Sequence, residues 1–203
     1  MTPSAEQLDA LKEMINIGVG RAGGILNDLL HARVTLKIPM LRILSPEEVA
    51  AGLETNQREP VSSVQLRFKG PFSGRAKLIF PKESASKLVS IVMGQEDFGD
   101  DLDSIRSGVL MEMGNIVINS VMGSIANILS ERLSYSTPCY SEGMSSDSPA
   151  TSDASVKETI LLAQTRFNIE KHHIEGDVAL VFDFESFGVL LSAIDHILTT
   201  ESQ

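Results

Sequence analysis

Two pairs of acidic and amide residues stand at the same spacing in this chain of 203 residues. Glu13 and Asn16 form the first pair, and Glu112 and Asn115 form the second. A carboxylate can anchor a cationic side chain, and a carboxamide can orient a water molecule because it both donates and accepts hydrogen bonds. The pairs are therefore candidates for a site that positions reactants instead of supplying a nucleophile.

The first pair is predicted to lie on a long helix, because apolar residues recur at steps of three and four through this region. Asp9, Glu13 and Asn16 would fall within about 60° of one another on such a helix, nearly opposite the apolar stripe. We therefore expect these three polar side chains to face solvent. The stripe consists of Leu8, Leu11, Ile15, Ala22, Ile25, Leu26 and Leu29.

The same helix contains Gly18, Gly20 and Gly23 in the G-x-G-x-x-G pattern of dinucleotide-binding folds. That fingerprint requires a β-strand immediately before the glycines, whereas the residues here are predicted to be helical, so the nucleotide hypothesis fails. Gly20 falls one turn after Asn16, with Gly23 and Gly24 at the edges of the same face. We interpret these glycines as clearance that lets the backbone of another protein approach the helix.

The predicted elements occur twice in the same order. The first half reads as the long helix, a strand "ARVTLKIPMLRI", a short helix "SPEEVAAGL", a hairpin "SSVQLRFKG" with "GRAKLIF", and a helix "PKESASKLVSIVMG". The second half reads as a long helix containing Glu112, a strand "SYSTPCYS", two strands "ETILLAQTRFNI" and "GDVALVF", and a helix "DFESFGVLLSAIDHIL". The two segments "GRAKLIFPKES" and "GDVALVFDFES" align without a gap.

This repetition predicts one α/β (α+β) domain of pseudo-two-fold symmetry, made of repeats at about residues 5–98 and 101–199. The halves are expected to pair their strands into one mainly antiparallel sheet beside the two long helices, since neither half would bury its apolar faces alone. The polar segment at 141–155 is predicted to be a mobile loop. A monomer is favoured because the internal repeat already supplies the symmetry of a dimer.

Each amide is followed by a proline at one fixed distance, with 22 residues between Asn16 and Pro39 and 22 between Asn115 and Pro138. The pattern Asp9-x3-Glu13-x2-Asn16-x22-Pro39 resembles the signature of the CheC/CheX/FliY phosphatases of bacterial and archaeal chemotaxis. The segment "MEMGNIVINSVMGSIANILSERL" resembles a second copy, and the similarity covers nearly the whole chain. Two copies without a flagellar switch domain are most similar to the CheC type, since CheX-type members carry a single motif.

The resemblance implies hydrolysis of the aspartyl phosphate on a response regulator, CheY-P or a similar receiver domain. Asn16 and Asn115 would orient the attacking water, and Glu13 and Glu112 would hold the receiver, at a lysine. No cofactor is expected on this chain, because Mg²⁺ would belong to the receiver. Phosphoryl transfer depends more on positioning and charge neutralisation than on a protein nucleophile, which agrees with these residue types.

The resemblance also implies roles for residues around the two pairs. Asp9 and Gly20 would support the first site, and Pro39 and Pro138 are expected to be structural. The second copy departs from the pattern, because Gly108 stands where the first has Asp9. A CheD-like deamidase is a further candidate partner.

Composition limits the other functions. A net charge of −10 and a pI near 4.8 disfavour nucleic acid, which requires clustered basic residues. The sequence shows no run of about 18 apolar residues and no signal peptide, and its single cysteine, Cys139, suits a reducing compartment, so we expect a cytoplasmic protein without a membrane partner. The four histidines have no metal-binding spacing; they are His31, His172, His173 and His196.

Two other interpretations stay open. Glu and Asn on an amphipathic helix are ordinarily a solvated face without a role, although the repeated spacing argues against this. A chain with the same fold could also bind a receiver domain or a CheD-like deamidase without catalysis. Turnover that is lost with the two Asn residues would separate an enzyme from such a binding module.

Overall fold

The two halves of the chain build closely similar sets of elements. The computed structural model describes residues 3–44, 60–94, 102–144, 158–169 and 172–200. In the first half these are α1 (Ala5–Leu30), β1 (Val34–Leu44), β2 (Pro60–Lys69), β3 (Gly74–Pro81) and α2 (Lys82–Met93). In the second half they are α3 (Leu102–Ile128), β4 (Ser134–Tyr135), β5 (Cys139–Met144), β6 (Glu158–Ile169), β7 (His172–Asp183) and α4 (Phe184–Thr200).

The halves share one antiparallel sheet in the order β1-β6-β7-β3-β2-β4, and β5 also pairs with β2. The two hairpins meet at the centre, where β3 pairs with β7. Each half then lends its remaining strands to the other: β1 pairs with β6, whereas β4 and β5 pair with β2. The predicted α+β fold is therefore confirmed, and each edge of the sheet is completed by the opposite half.

The two long helices pack against each other, and they share a core with one face of the sheet. Leu11, Ile15, Ala22 and Leu26 of α1 are fully buried, as the helical period predicts. Rings from both halves meet in this core, namely Phe68, Phe72, Phe182 and Phe187. Each long helix thus has one side in this core and exposed residues on its other side.

The prediction that the whole apolar stripe of α1 faces the core was partly wrong. Ile25 is 48% exposed and Leu29 is 50% exposed, so the last two turns bury a narrower face than the spacing predicts. Helical period identifies residues that share a side of a helix, but burial also requires a neighbouring element to cover them. Over these turns Leu26 is enclosed in the core, whereas Ile25 and Leu29 lie to the side of it.

Helix α3 is apolar enough over Asp103–Ile128 to cross a membrane by length and composition alone. However, 56% of its most apolar window is buried within the protein. Burial of this kind is typical of a core helix in a folded domain.

The C-terminal ends of α1 and α3 correspond to each other, as their motifs do. α1 begins with a capping box in which Ser4 and Gln7 exchange hydrogen bonds, and Gln7 also donates to Asp195 of α4 at 2.8 Å. α1 is followed by His31 in the left-handed conformation, with φ of 48°, and α3 is followed closely by Ser130, with φ of 56°. These two residues stand 99 positions apart, as Asn16 and Asn115 do.

The two prolines lie in the sheet regions that follow the long helices. Pro39 lies in β1 at a register shift between Lys37 and Met40, and β1 is an edge of the described sheet, as expected for a proline within a strand. The second predicted strand is divided into β4 and β5, with Pro138 between them.

Two predicted segments fall largely outside the described residues. β5 continues through residues 141–144, which were predicted to begin a loop, because these residues pair with β2. Residues 145–155 of that loop and the predicted helix at 45–53 lie outside the described part of the chain.

Candidate functional site

The first acid–amide pair lies on the outer face of α1. Asp9 and Glu13 are exposed, and Asn16 is half-buried one turn further along. Within the described residues, the Glu13 carboxylate and the Asn16 carboxamide take part in no hydrogen bond or ion pair. Both groups are thus available to an incoming molecule.

The second pair has the same placement on α3, with Glu112 exposed and Asn115 half-buried. Its amide, in contrast, already has a partner: the Nδ2 group of Asn119 donates to Oδ1 of Asn115 over 2.7 Å. On α1 the position one turn after the amide is Gly20, which is exposed, and apart from the adjacent backbone of its own helix no atom lies within 4 Å of where a Cβ would stand. The two pairs therefore differ in how their amides are held.

Asn119 was not predicted from the sequence as part of the second site. The available signal was its spacing, since residues four apart on a helix lie on the same side and can contact each other. Because glycine has no side chain, Gly108 leaves the second site without the carboxylate that Asp9 gives the first. Gly108 is exposed with open space around it.

The glycines of α1 have separate roles, which corrects their interpretation as one clearance surface. A Cβ at Gly18 would stand 2.5 Å from Cα of Val121, so this glycine allows α1 and α3 to approach closely. Gly23 is buried beside β1, where a Cβ would meet a methyl group of Leu36 at 3.6 Å. Only Gly20 and Gly24 among them face open space on the outer side.

The position of the second amide depends on a close approach between α3 and the sheet. Gly114 precedes Asn115, and a Cβ there would come within 2.6 Å of the Val64 side chain on β2. The lack of a side chain lets α3 lie directly on the sheet at this point. Packing at Gly18 and Gly114 thus fixes both long helices at positions adjacent to their motifs.

An ion cluster joins the start of α3 to β5. Arg106 bridges Asp103 at 3.7 Å and Glu142 at 3.3 Å, and the Tyr140 hydroxyl donates to Glu142 over 2.6 Å. The Tyr140 hydrogen bond, together with Arg106, lowers the pKa of Glu142, while burial and the Glu142 carboxylate raise the pKa of Tyr140 to about 12. This cluster ties the second motif helix to a strand of its own half.

The remaining candidates lie apart from the two helix faces. Pro39 and Pro138 belong to the sheet region that follows each helix, which agrees with a structural role. Among the residues that the structure describes, no group of three His, Cys, Asp or Glu side chains could hold a metal ion. His31 ends a helix and His173 shares a hydrogen bond with Asn168, while Cys139 is exposed.

The chain is similar to known proteins in sequence and in fold. No protein-family model matches it. It is 28% identical to the CheY-P phosphatase CheC of Bacillus subtilis (strain 168). The alignment has 204 positions, including gaps, and covers 93% of this chain and 94% of that protein. The resemblance to CheC-type phosphatases is confirmed.

Solved structures extend the similarity to the fold of the chain. The Thermotoga maritima FliY structure superposes with a TM-score of 0.74 at 18% identity, covering 98% of this chain and 99% of that one. CheX from Borrelia burgdorferi, solved in a complex with CheY, BeF3 and Mg²⁺, superposes with a TM-score of 0.50 at 17% identity over 84% of this chain and 99% of that one. The fold of this chain is therefore similar to the folds of these two solved proteins.

Proposed function

We propose that this CheC-type chain hydrolyses the aspartyl phosphate of a CheY-like receiver domain. The observation that carries the proposal is the repeated Glu-x2-Asn pair, which lies on the outer faces of two helices that share one core. Support also comes from its similarity to the CheY-P phosphatase CheC along nearly the whole chain.

In the proposed reaction, Asn16 or Asn115 enters the receiver's phosphorylation site and orients a water in line with phosphorus. The water oxygen forms a bond to phosphorus as the bond from phosphorus to the aspartate oxygen breaks. The aspartate leaves as a carboxylate, and the protons of the water go to the phosphate product. A neutral carboxamide suits this task because it can hold a water without adding charge beside a phosphoryl group.

The proposed role of Glu13 and Glu112 is to hold the receiver. A carboxylate one turn before the amide, on the same exposed face, can form a charge-assisted contact with a lysine beside the phosphoryl group. Asp9 gives the first site a second carboxylate on this face. The Mg²⁺ of the reaction would be held by the receiver and not by this chain.

We further propose a soluble, cytoplasmic monomer. Its two sites occupy one chain, and its halves already complete each other's sheet edges. A CheD-like deamidase is retained as a second candidate partner, to be tested by binding.

The test is the decay of a phosphorylated CheY-type receiver with substoichiometric amounts of the wild type, Asn16→Ala, Asn115→Ala and the double variant. We expect the wild type to accelerate decay and the double variant to lose on the order of 100-fold or more of that acceleration, with little change in receiver binding. Asn127→Ala is the matched control, since Asn127 is an exposed amide on α3 beyond the motif.

The contrary result is equally clear. If the chain binds the phosphorylated receiver but decay never accelerates at catalytic amounts, the chain is a binding module that sequesters its partner. If Asn127→Ala lowers the rate as much as the motif variants do, the loss is not specific to the proposed site.

A further inference from the structure

The second site contains an amide pair that the first site lacks. Asn119 donates from Nδ2 to Oδ1 of Asn115 at 2.7 Å, and both side chains are half-buried on one side of α3. On α1 no side chain stands one turn after Asn16, because that position is Gly20. The same spacing on two related helices thus gives one tethered amide and one untethered amide.

Asn119 makes this contact at a cost to stability. Its carbonyl oxygen is buried and accepts no hydrogen bond from any described residue. A buried acceptor without a partner destabilises the folded state, and asparagine is also a poor residue for a helix interior. Within the described residues, the bond to Asn115 is the only side-chain hydrogen bond that Asn119 makes.

We propose that Asn119 is a positioning residue of the second site, an inference that rests on the proposed function. By donating to Oδ1, it holds the Asn115 carboxamide in one rotamer before the receiver arrives. The NH₂ group of Asn115 and the second lone pair of its oxygen stay free for the water and the phosphoryl group. Asn16 must instead be ordered after the receiver has docked, as the transition state is reached.

The effect falls on the reaction step more than on docking. Fixing one side chain in advance removes the entropic cost of ordering it, which corresponds to about a three- to tenfold gain in rate. The second site should therefore have the larger kcat. It should not bind the receiver more tightly on this account, because Asn119 acts through Asn115 and does not contact the partner.

The experiment isolates the second site in the Asn16→Ala background. Asn119→Ala removes the tether, and Asn119→Leu removes it while keeping a similar side-chain volume. Decay of the phosphorylated receiver then gives kcat and KM for each variant, with Asn127→Ala as the control in the same background. Urea unfolding measures stability, and ¹⁵N relaxation measures the order of the Asn115 side-chain NH₂ group, with Asn16 of the wild type as the untethered reference.

We expect both Asn119 variants to lower kcat about three- to tenfold at unchanged KM, while stability stays equal or rises. The Asn115 side chain should become as mobile as that of Asn16. Unchanged kcat and unchanged Asn115 order would overturn the proposal, as would full activity in Asn119→Leu. A loss of kcat that accompanies a loss of stability, with Asn115 still ordered, would also overturn it by assigning Asn119 a purely structural role.

Failure of the proposed function would look different from failure of this inference. If neither the wild type nor Asn16→Ala accelerates decay, the phosphatase proposal fails. If both accelerate decay and the Asn119 variants match Asn16→Ala, only the positioning role fails.

Discussion

Helices α1 and α3 place the same acid–amide pair on their outer faces, yet they differ on both sides of it. Asp9 precedes the first pair and Gly108 the second, whereas Gly20 follows the first and Asn119 the second. The first site therefore has an extra carboxylate, and the second has a tethered amide. A duplicated fold can thus conserve where the reacting groups lie while the surrounding residues change how each group is held.

The contact between the two helices is also unequal. Gly18 lets α1 approach the backbone of α3 at Val121, whereas α3 has Val117 at the position related to Gly18 by the 99-residue offset. The close approach is therefore made by removing a side chain from one helix only. A side chain added at Gly18 should therefore cause the largest loss of stability.

Gly18→Ala should cause the largest loss of stability. The added Cβ would stand 2.5 Å from Cα of Val121 and 2.8 Å from the carbonyl oxygen of Ser120, and backbone cannot rotate away as a side chain does. We expect a loss of about 1 to 3 kcal/mol in the free energy of unfolding, measured by urea denaturation.

Gly24→Ala is the matched control, because it is also within α1 but faces open space. It should gain up to about 1 kcal/mol through helix propensity. Equal losses in the two variants would show that the close approach at Gly18 does not limit stability.

The two central strands, β3 and β7, differ at the position of Asp177. It aligns with Arg75 of the first half, and burial, with a contribution from nearby Glu175, raises its pKa from 3.8 to about 6. Below about pH 3 the carboxyl is mostly protonated in both the folded and unfolded states, so it adds little cost. Between about pH 4 and pH 6 the carboxyl of Asp177 is ionised mainly in the unfolded state, so the free energy of unfolding falls as pH rises. Above about pH 6 it stays at this lower value.

Asp177→Asn should therefore stabilise the fold by about 2 to 3 kcal/mol at pH 8 and by little at pH 3.5. Urea unfolding of both proteins at the two pH values measures the difference. A stabilisation that is the same at both pH values would show that the carboxyl charge is not the cause.

The two sites can be ranked by their single variants. If the tether at Asn119 matters more than the missing carboxylate at Gly108, Asn16→Ala will retain about three- to tenfold more phosphatase activity than Asn115→Ala. The receiver decay assay measures both.

Gly108→Asp in the Asn16→Ala background sharpens this comparison. Gly108 is exposed with open space around it, so an aspartate can be accommodated. A gain larger than the loss caused by Asn119→Ala would reverse the ranking and make the carboxylate the more important difference.

The smallest expected effects concern the residues that end the two helices. His31 and Ser130 adopt positive φ, which glycine tolerates without the steric cost that a Cβ carries. His31→Gly and Ser130→Gly should each raise the free energy of unfolding by roughly 0.5 to 1 kcal/mol. Similar gains at both positions would support the equivalence of the halves, and unequal gains would show that one turn is constrained by further contacts.

Local patterns in the sequence were sufficient for the elements that carry the site. Helical period placed Glu13 and Asn16 on the outer side of α1, and the structure leaves Glu13 exposed and Asn16 half-buried. The gapless alignment of "GRAKLIFPKES" with "GDVALVFDFES" indicated a two-fold repeat, and each segment forms a strand that runs directly into a helix, β3 into α2 and β7 into α4. These features depend on residues close together in the chain, or on similarity between halves, and both are visible in a single sequence.

The tertiary structure decided the features that depend on distant residues. The exchange of strands between halves, the burial of Gly18 and Gly23, and the exposure of Ile25 and Leu29 all follow from which element covers which face. Even the Asn119 tether, only four residues from its partner, required the packing that buries its oxygen and turns its amide toward Asn115. The sequence determined which groups lie on each helix, and long-range packing determined what each group touches, because contact depends on neighbours that no local pattern names.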